Sequence, residues 1–507
     1  MDLPKKVLFF TNSDYGQANV ILATAHTLLL TQSVEIHIAS FHGLEAAVRS
    51  MSNMALSQSS TTGVRNSIVF HSLQGISWGP ASFRPETGVA ASLDLKPGLR
   101  NSAACVSRLP TILLPWHPDE FMTIYREAER ILEEVNPNLT IVEPLFTQAM
   151  TLCHRSKVNW AVLAPNTIKD FAIPKQPNLA MLWKYPLVCS AMPYPLPWAL
   201  IPRNIALNLV AGYALVTDTR IKEITRILHH EVDPTVNLIT ANELGVLKSP
   251  PPGIRILVAN SPDLDYHFDF FPDYIVPCGP IIRPTDPVAA ADPDLAAWLD
   301  RGPTVYVNLG THLKATPTEA TEMAHAYRAV LDYAREHNLG PLQILWKIGR
   351  KHVDGEKLEQ DNFDGSWKPV LDTLRPELDA GRMRLTDWVT VEPGSVLQSG
   401  RIVCSIHHGG ASSFYEALCA GIPQILLPPW SDCYDFANRT ELLGVGRWAN
   451  KKAKPRWERS ELASCIIDVL FGPESTKILA RAKAVAAQHP EGAGREKAAR
   501  EIIALVA

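Results

Sequence analysis

SIHHGGASSFYEALCAGIPQILLPPWSD spans Ser405 to Asp432. Two apolar, strand-like runs, Ile402–Ile406 and Gln424–Leu427, enclose His407-His408-Gly409-Gly410-Ala411-Ser412-Ser413 and a helix-like stretch from Phe414 to Ala420. A buried strand, a glycine-rich turn and a helix start form a phosphate cradle. Glycines let a phosphate approach the backbone, free N–H groups point at it, and the helix dipole favours its charge. Ser412, Ser413 and His408 add donors, and Glu416 lies one turn in, suited to the vicinal hydroxyls of a ribose. Taken alone, the pattern also describes a serine-capped helix after a tight turn.

Its neighbours favour the ligand reading. Met383–Val389, MRLTDWV, reads as a strand ending in Trp388, whose ring can stack on a nucleobase. Asn308-Leu309-Gly310-Thr311 ends another strand in a small polar loop, and Pro428-Pro429-Trp430-Ser431-Asp432 ends the next. Four strands of one sheet thus terminate in ligand-type chemistry.

Strand-like and helix-like stretches alternate through all 507 residues, the pattern of α/β proteins with parallel sheets, and the chain is too long for one core. Expected strands in the first half are Val7–Phe10, Val34–Ala39, Ser67–His71, Leu139–Val142, Trp160–Leu163, Ile256–Asn260 and Tyr274–Pro277. After the proline-rich segment Pro277–Asp294 the alternation restarts at Val305–Leu309 and continues through Leu342–Lys347 and Met383–Trp388. The expected division is a first Rossmann-like domain over 1–283, a linker over 284–294, and a second such domain over 295–480. Helices over 481–507 are expected to pack back toward the first domain.

A formal charge of -4 argues against nucleic acid as the main partner. The eight cysteines form no CxxC pair, which suits reduced, buried thiols and a cytoplasmic setting. The apolar window Trp198–Val216 holds Pro202, Arg203, Asn204 and Asn208 and is read as falling short of a membrane span. Neither His229-His230 nor Asp263-Leu264-Asp265 has the companions of a metal site, so no metal and no cofactor are expected. A monomer or weak homo-oligomer is expected.

The stretch Trp388 to Ala437 resembles the nucleotide-sugar signature of UDP-dependent glycosyltransferases. The shared features are an initial Trp, a strand, HHGG with small polar residues, a Glu in the next helix, AGIPQ, and an Asp after prolines. The resemblance extends weakly over the whole chain and is to the soluble fungal or bacterial members. It implies the GT-B fold, α/β with two doubly wound Rossmann-like domains facing a central cleft. It implies inverting transfer of a sugar, with glucose as the prior, from a UDP-sugar co-substrate to a small hydrophobic acceptor. By position, Trp388 would stack on uracil and Glu416 would hold the ribose. His408, Gly410, Ser412, Ser413 and Thr311 would hold the diphosphate, and Asp432 the sugar. Cys433 stands where the family often has a second, glutamine contact to the sugar, and a thiol is a poor hydrogen-bond partner.

In plant members a histidine after the first strand deprotonates the acceptor. Here Gln17 occupies that position, and an amide is no base. The dyad's aspartate falls at Glu143, which becomes the expected base, with burial raising its pKa. Asp14 and Tyr15, in the same first loop, are the runners-up, and Gln17 is read as an orienting donor. The altered dyad suits an acceptor that is already acidic, such as a phenol or polyketide-like ring, forming an O- or C-glycoside. Alternatives are a non-catalytic nucleotide-sugar binder and an NAD-dependent oxidoreductase. The second is opposed by the single glycine in Thr11–Asn19, where GxGxxG would be needed.

Overall fold

A computed structural model describes residues 4–31, 34–58, 67–354 and 359–506. The chain divides into two compact units. The first comprises Met1–Leu93, Gly98–Arg283 and Gly492–Ala507, and the second comprises Asp94–Pro97 and Pro284–Glu491.

In the first unit, strands β1 (Lys6–Phe10), β2 (Glu35–Phe41), β3 (Val69–Leu73), β4 (Leu139–Val142), β5 (Trp160–Ala164), β6 (Ile256–Val258) and β7 (Ile275–Pro277) form one sheet. Its order is β3-β2-β1-β4-β5-β6-β7, and every pairing is parallel. The central strands are apolar throughout because helices cover both faces. Helix Tyr15–Thr31 packs on one face with Val7 and Phe9, and helix Pro118–Val135 packs on the other with Leu8 and Phe10.

The second unit holds β8 (Thr304–Asn308), β9 (Gln343–Lys347), β10 (Met383–Thr386), β11 (Ile402–His407), β12 (Gln424–Leu426) and β13 (Gly446–Trp448). They run parallel in the order β10-β9-β8-β11-β12-β13. In each sheet the order reverses at one place, between β1 and β4 and between β8 and β11. Loops leaving the carboxyl ends of strands splay apart at such a reversal, and ligands of doubly wound sheets bind there.

Two sequence expectations need correction. Residues 284–294 are part of the second unit and include a short helix, Val288–Ala291, whose Val288 joins Leu295 and Trp298 in a core cluster. Helix Ser475–Gln488 stays in the second unit, and Ala493–Val506 alone among the closing helices joins the first, packing against Tyr15–Thr31. The stretch Trp198–Glu231 is, by length and composition, apolar enough to cross a membrane. It is two helices, Ile201–Thr217 and Thr219–Glu231, broken at Asp218, which caps the second. The first helix, at 17 residues, is about 25 Å long against a hydrocarbon core of about 30 Å. Its inner face is tied down by Asn204, fully buried, whose Nδ2 donates to Leu182 O and Tyr185 O, each at 2.9 Å.

Candidate functional site

At the reversal in the second unit, β11 runs straight into the HHGG turn. His407, on the last position of β11, is buried. Its Nδ1 accepts from Gly409 N (3.1 Å), so Nε2 carries the hydrogen and donates to Gln424 Oε1 (2.8 Å). Burial lowers its pKa to about 4, and its role is to fix the turn. Gly409 then adopts φ +88°, where a Cβ would lie 3.0 Å from Cys433 O. Gly410 caps helix Ala411–Cys419.

His408 points the other way. A Cβ on Gly310, itself at φ +81°, would lie 2.7 Å from His408 Cε1, and one on Gly410 would collide with Nε2. The ring thus lies between the β8 loop and the helix N-terminus, and only glycines leave room for it. Burial lowers its pKa to about 3, helped by His407, His312 and Lys347, so the ring is neutral at physiological pH. Its Nδ1 is buried without a hydrogen-bond partner. An orphaned ring nitrogen between two glycines, at the start of a helix, is suited to an anionic oxygen.

The other expected donor residues surround this turn in sequence and topology. Thr311 is exposed after β8, and Ser412, Ser413 and Glu416 are partly exposed on the first turns of the capped helix. Trp388 follows β10 and keeps 55% of its surface exposed. Its backbone is held by Thr386, whose Oγ1 accepts from Trp388 N (3.2 Å) and donates to Trp388 O (2.8 Å). Asp432 is exposed at the start of helix Cys433–Leu442. Cys433 is the exception. Its side chain is buried, with the thiol pKa pushed well up, and it packs beneath the turn instead of presenting its sulfur to a ligand.

At the reversal in the first unit, Glu143 follows β4 and is fully buried. Its Oε1 accepts from Asn12 Nδ2 and from Asn12 N (3.4 Å), and its Oε2 accepts from Leu145 N (2.8 Å). Asn12 and Glu143 thus form a pair that ties the end of β1 to the end of β4. Gln17 Oε1 is buried with no partner. Asp14 lies partly exposed in the same loop. Its Oδ2 accepts from Gly79 N (3.1 Å), and its backbone oxygen accepts from Gln17 N (2.9 Å) and Ala18 N (3.0 Å) at the helix start. Glycine at 79 is required, since a Cβ there would collide with Asp14 Oδ1.

Burial raises the Glu143 pKa from 4.5 to about 7; its hydrogen bonds oppose the shift and the Asp14 charge adds to it. The folded state therefore holds this proton more tightly than the unfolded chain. The resulting stability is complete below about pH 4.5 and is lost as pH rises through about 7, a change of about 3 kcal/mol. Glu143→Gln should remove this dependence. Relative to wild type, the variant should gain stability between pH 5 and pH 8 in denaturant titrations. An offset that stays constant with pH would place the Glu143 pKa near its ordinary value.

Trp116, Phe121, Phe146 and Phe171 belong to the core of this sheet. Three residues that no sequence pattern singled out, Asn12, Gly79 and Lys347, are brought to these two reversals by the fold.

Residues 375–499 match the family described as erythromycin biosynthesis protein CIII-like, C-terminal domain. Glycosyltransferase sdnJ of Sordaria araneosa is 32% identical over 466 residues, covering 91% of this chain and 85% of that one. The chain is a UDP-glycosyltransferase. Its GT-B fold is shared by a UDP-glucosyltransferase from Polygonum tinctorium capable of glucosylating indoxyl, with a TM-score of 0.61 at 14% identity over 100% of this chain and 99% of that one. Over 155 residues, 30% of this glycosyltransferase and 29% of the relative, it is 31% identical to the vancomycin aglycone glucosyltransferase of Amycolatopsis orientalis.

Proposed function

We propose that the enzyme moves glucose from UDP-glucose, with inversion, to a small lipophilic acceptor of phenolic or polyketide-like class, as an O- or C-glycoside. The observation that carries the donor half is the His408 ring, neutral and with an orphaned nitrogen, between Gly310 and Gly410 at the sheet reversal. In this reading the diphosphate takes the helix N-terminus, His408, Ser412, Ser413 and Thr311. Uracil stacks on Trp388, the ribose meets Glu416, and the sugar meets Asp432. Glucose and an aromatic acceptor are supported by the relatives that act on the vancomycin aglycone and on indoxyl.

Asp14 takes the acceptor's proton, ahead of Glu143. Glu143 is fully buried and engaged by Asn12 and Leu145, whereas Asp14, held by Gly79 N, is partly exposed at the end of the loop after β1. Gln17 orients the acceptor hydroxyl through its unpartnered oxygen. Because backbone N–H groups and His408 meet the diphosphate, no divalent ion is needed.

The test is transfer itself. The purified chain is incubated with UDP-glucose and other UDP-sugars against phenols, polyketides and sterols, with and without EDTA. A glucoside of a phenolic or polyketide acceptor, formed equally in EDTA, is expected, and acid stability distinguishes a carbon linkage from an oxygen one. Preference for another sugar, transfer to sterols alone, or loss of activity in EDTA restored by magnesium would contradict the proposal.

A further inference from the structure

Lys347 ends β9, a strand whose five residues are all buried. Its side chain is only 7% exposed. The ammonium donates to Gly310 O at 2.7 Å and lies 5.3 Å from the centroid of the Trp388 ring. Among the described residues no carboxylate pairs with it. The carboxylate that acts on it electrostatically is Asp387, which is committed to Arg350, whose Nε donates to it at 2.6 Å. Burying an ammonium without a counter-ion costs several kcal/mol, so such a group persists where a ligand supplies the missing charge. One backbone carbonyl satisfies one of its three hydrogens, and a carbonyl carries no net charge.

Its surroundings identify the ligand. Gly310 is the residue against which His408 packs, and Lys347 is among the groups that hold the His408 ring neutral. The histidine therefore offers hydrogen bonding without charge, while a nucleoside diphosphate brings at least two negative charges to the turn. Dipoles at the start of helix Ala411–Cys419 are worth about half a charge.

Resting on the donor reading above, we propose that Lys347 is the cation that neutralises the donor's diphosphate. The diphosphate completes the coordination of the ammonium, and release of UDP leaves the charge uncompensated again. Lys347 is thus a binding residue whose cost is carried by the empty enzyme.

The experiment measures binding of UDP and of uridine to the full chain by calorimetry, for wild type, Lys347→Met and Lys347→Arg. Lys347→Met should weaken UDP by about 10- to 100-fold, the range for a hydrogen bond to a charged group. It should leave uridine unchanged, and Lys347→Arg should recover much of the loss. Without ligand, Lys347→Met should melt at or above the wild-type temperature, because an uncompensated buried charge is gone. UDP affinity unchanged in Lys347→Met, with wild type binding UDP, would overturn the role of the lysine alone. Equal losses for UDP and uridine would likewise overturn it, making Lys347 a support for Trp388. A wild-type chain that binds no UDP would overturn the donor reading itself.

Discussion

Asp14→Asn should lower kcat by about 10²–10⁴-fold, the usual worth of general-base catalysis, with UDP affinity unchanged. Asparagine keeps an acceptor for Gly79 N and leaves the backbone oxygen that caps the helix at Gln17 and Ala18 in place, so the loss reads basicity and not shape. Glu143→Gln should cost less, because Glu143 acts on the acceptor only through Asn12 and the loop it fixes. The Asp14→Asn loss should shrink for acceptors with lower phenol pKa, which need less deprotonation. Full rate for Asp14→Asn on a weakly acidic acceptor, together with a large loss for Glu143→Gln, would exchange the two roles.

His408→Ala should lower kcat by about 10²–10³-fold, as does removal of one preorganised donor from a developing negative charge. Charge builds on the leaving UDP as the bond to the sugar breaks, and the ring is already placed by Gly310 and Gly410. With a pKa near 3, set first by burial, the ring does not titrate between pH 5 and 8. The pH profile of kcat/KM, which reports groups of the free enzyme, should therefore carry no limb that disappears in the His408→Ala variant. Gly410→Ala should reproduce much of the loss by forcing the ring aside, since the added carbon meets Nε2. A His408→Ala enzyme with near wild-type kcat would remove the ring from the reaction.

The strands and the HHGG turn were legible because each is local: apolar runs, glycines and a helix start stand next to one another in the chain. Strand order is not local. Glu143 could be picked out as a carboxylate at a strand end, but its partner Asn12 lies 131 residues away and is brought to it only by the β1–β4 pairing. Lys347 was hidden for a related reason. It reads as the polar end of an apolar strand, and its meaning comes from β8 and β10 on either side, which bring Gly310 and Trp388 to it. One signal was available, a lysine closing QILWK with Ile348 directly after, inside rather than outside the apolar run. Cys433 was placed in the sugar site by its position after Asp432. The helix starting at Cys433 turns consecutive side chains about 100° apart, so exposing Asp432 sends the thiol inward.

The central claim, that the β11 turn and Trp388 form a uridine diphosphate site, is tested most directly by calorimetric titration of UDP into wild type and Trp388→Ala without divalent ions. Wild type should bind one UDP per chain, and Trp388→Ala should bind it more weakly by about 1–3 kcal/mol, the worth of base–aromatic stacking. Equal affinity in the two proteins would contradict the account and remove Trp388 from the site.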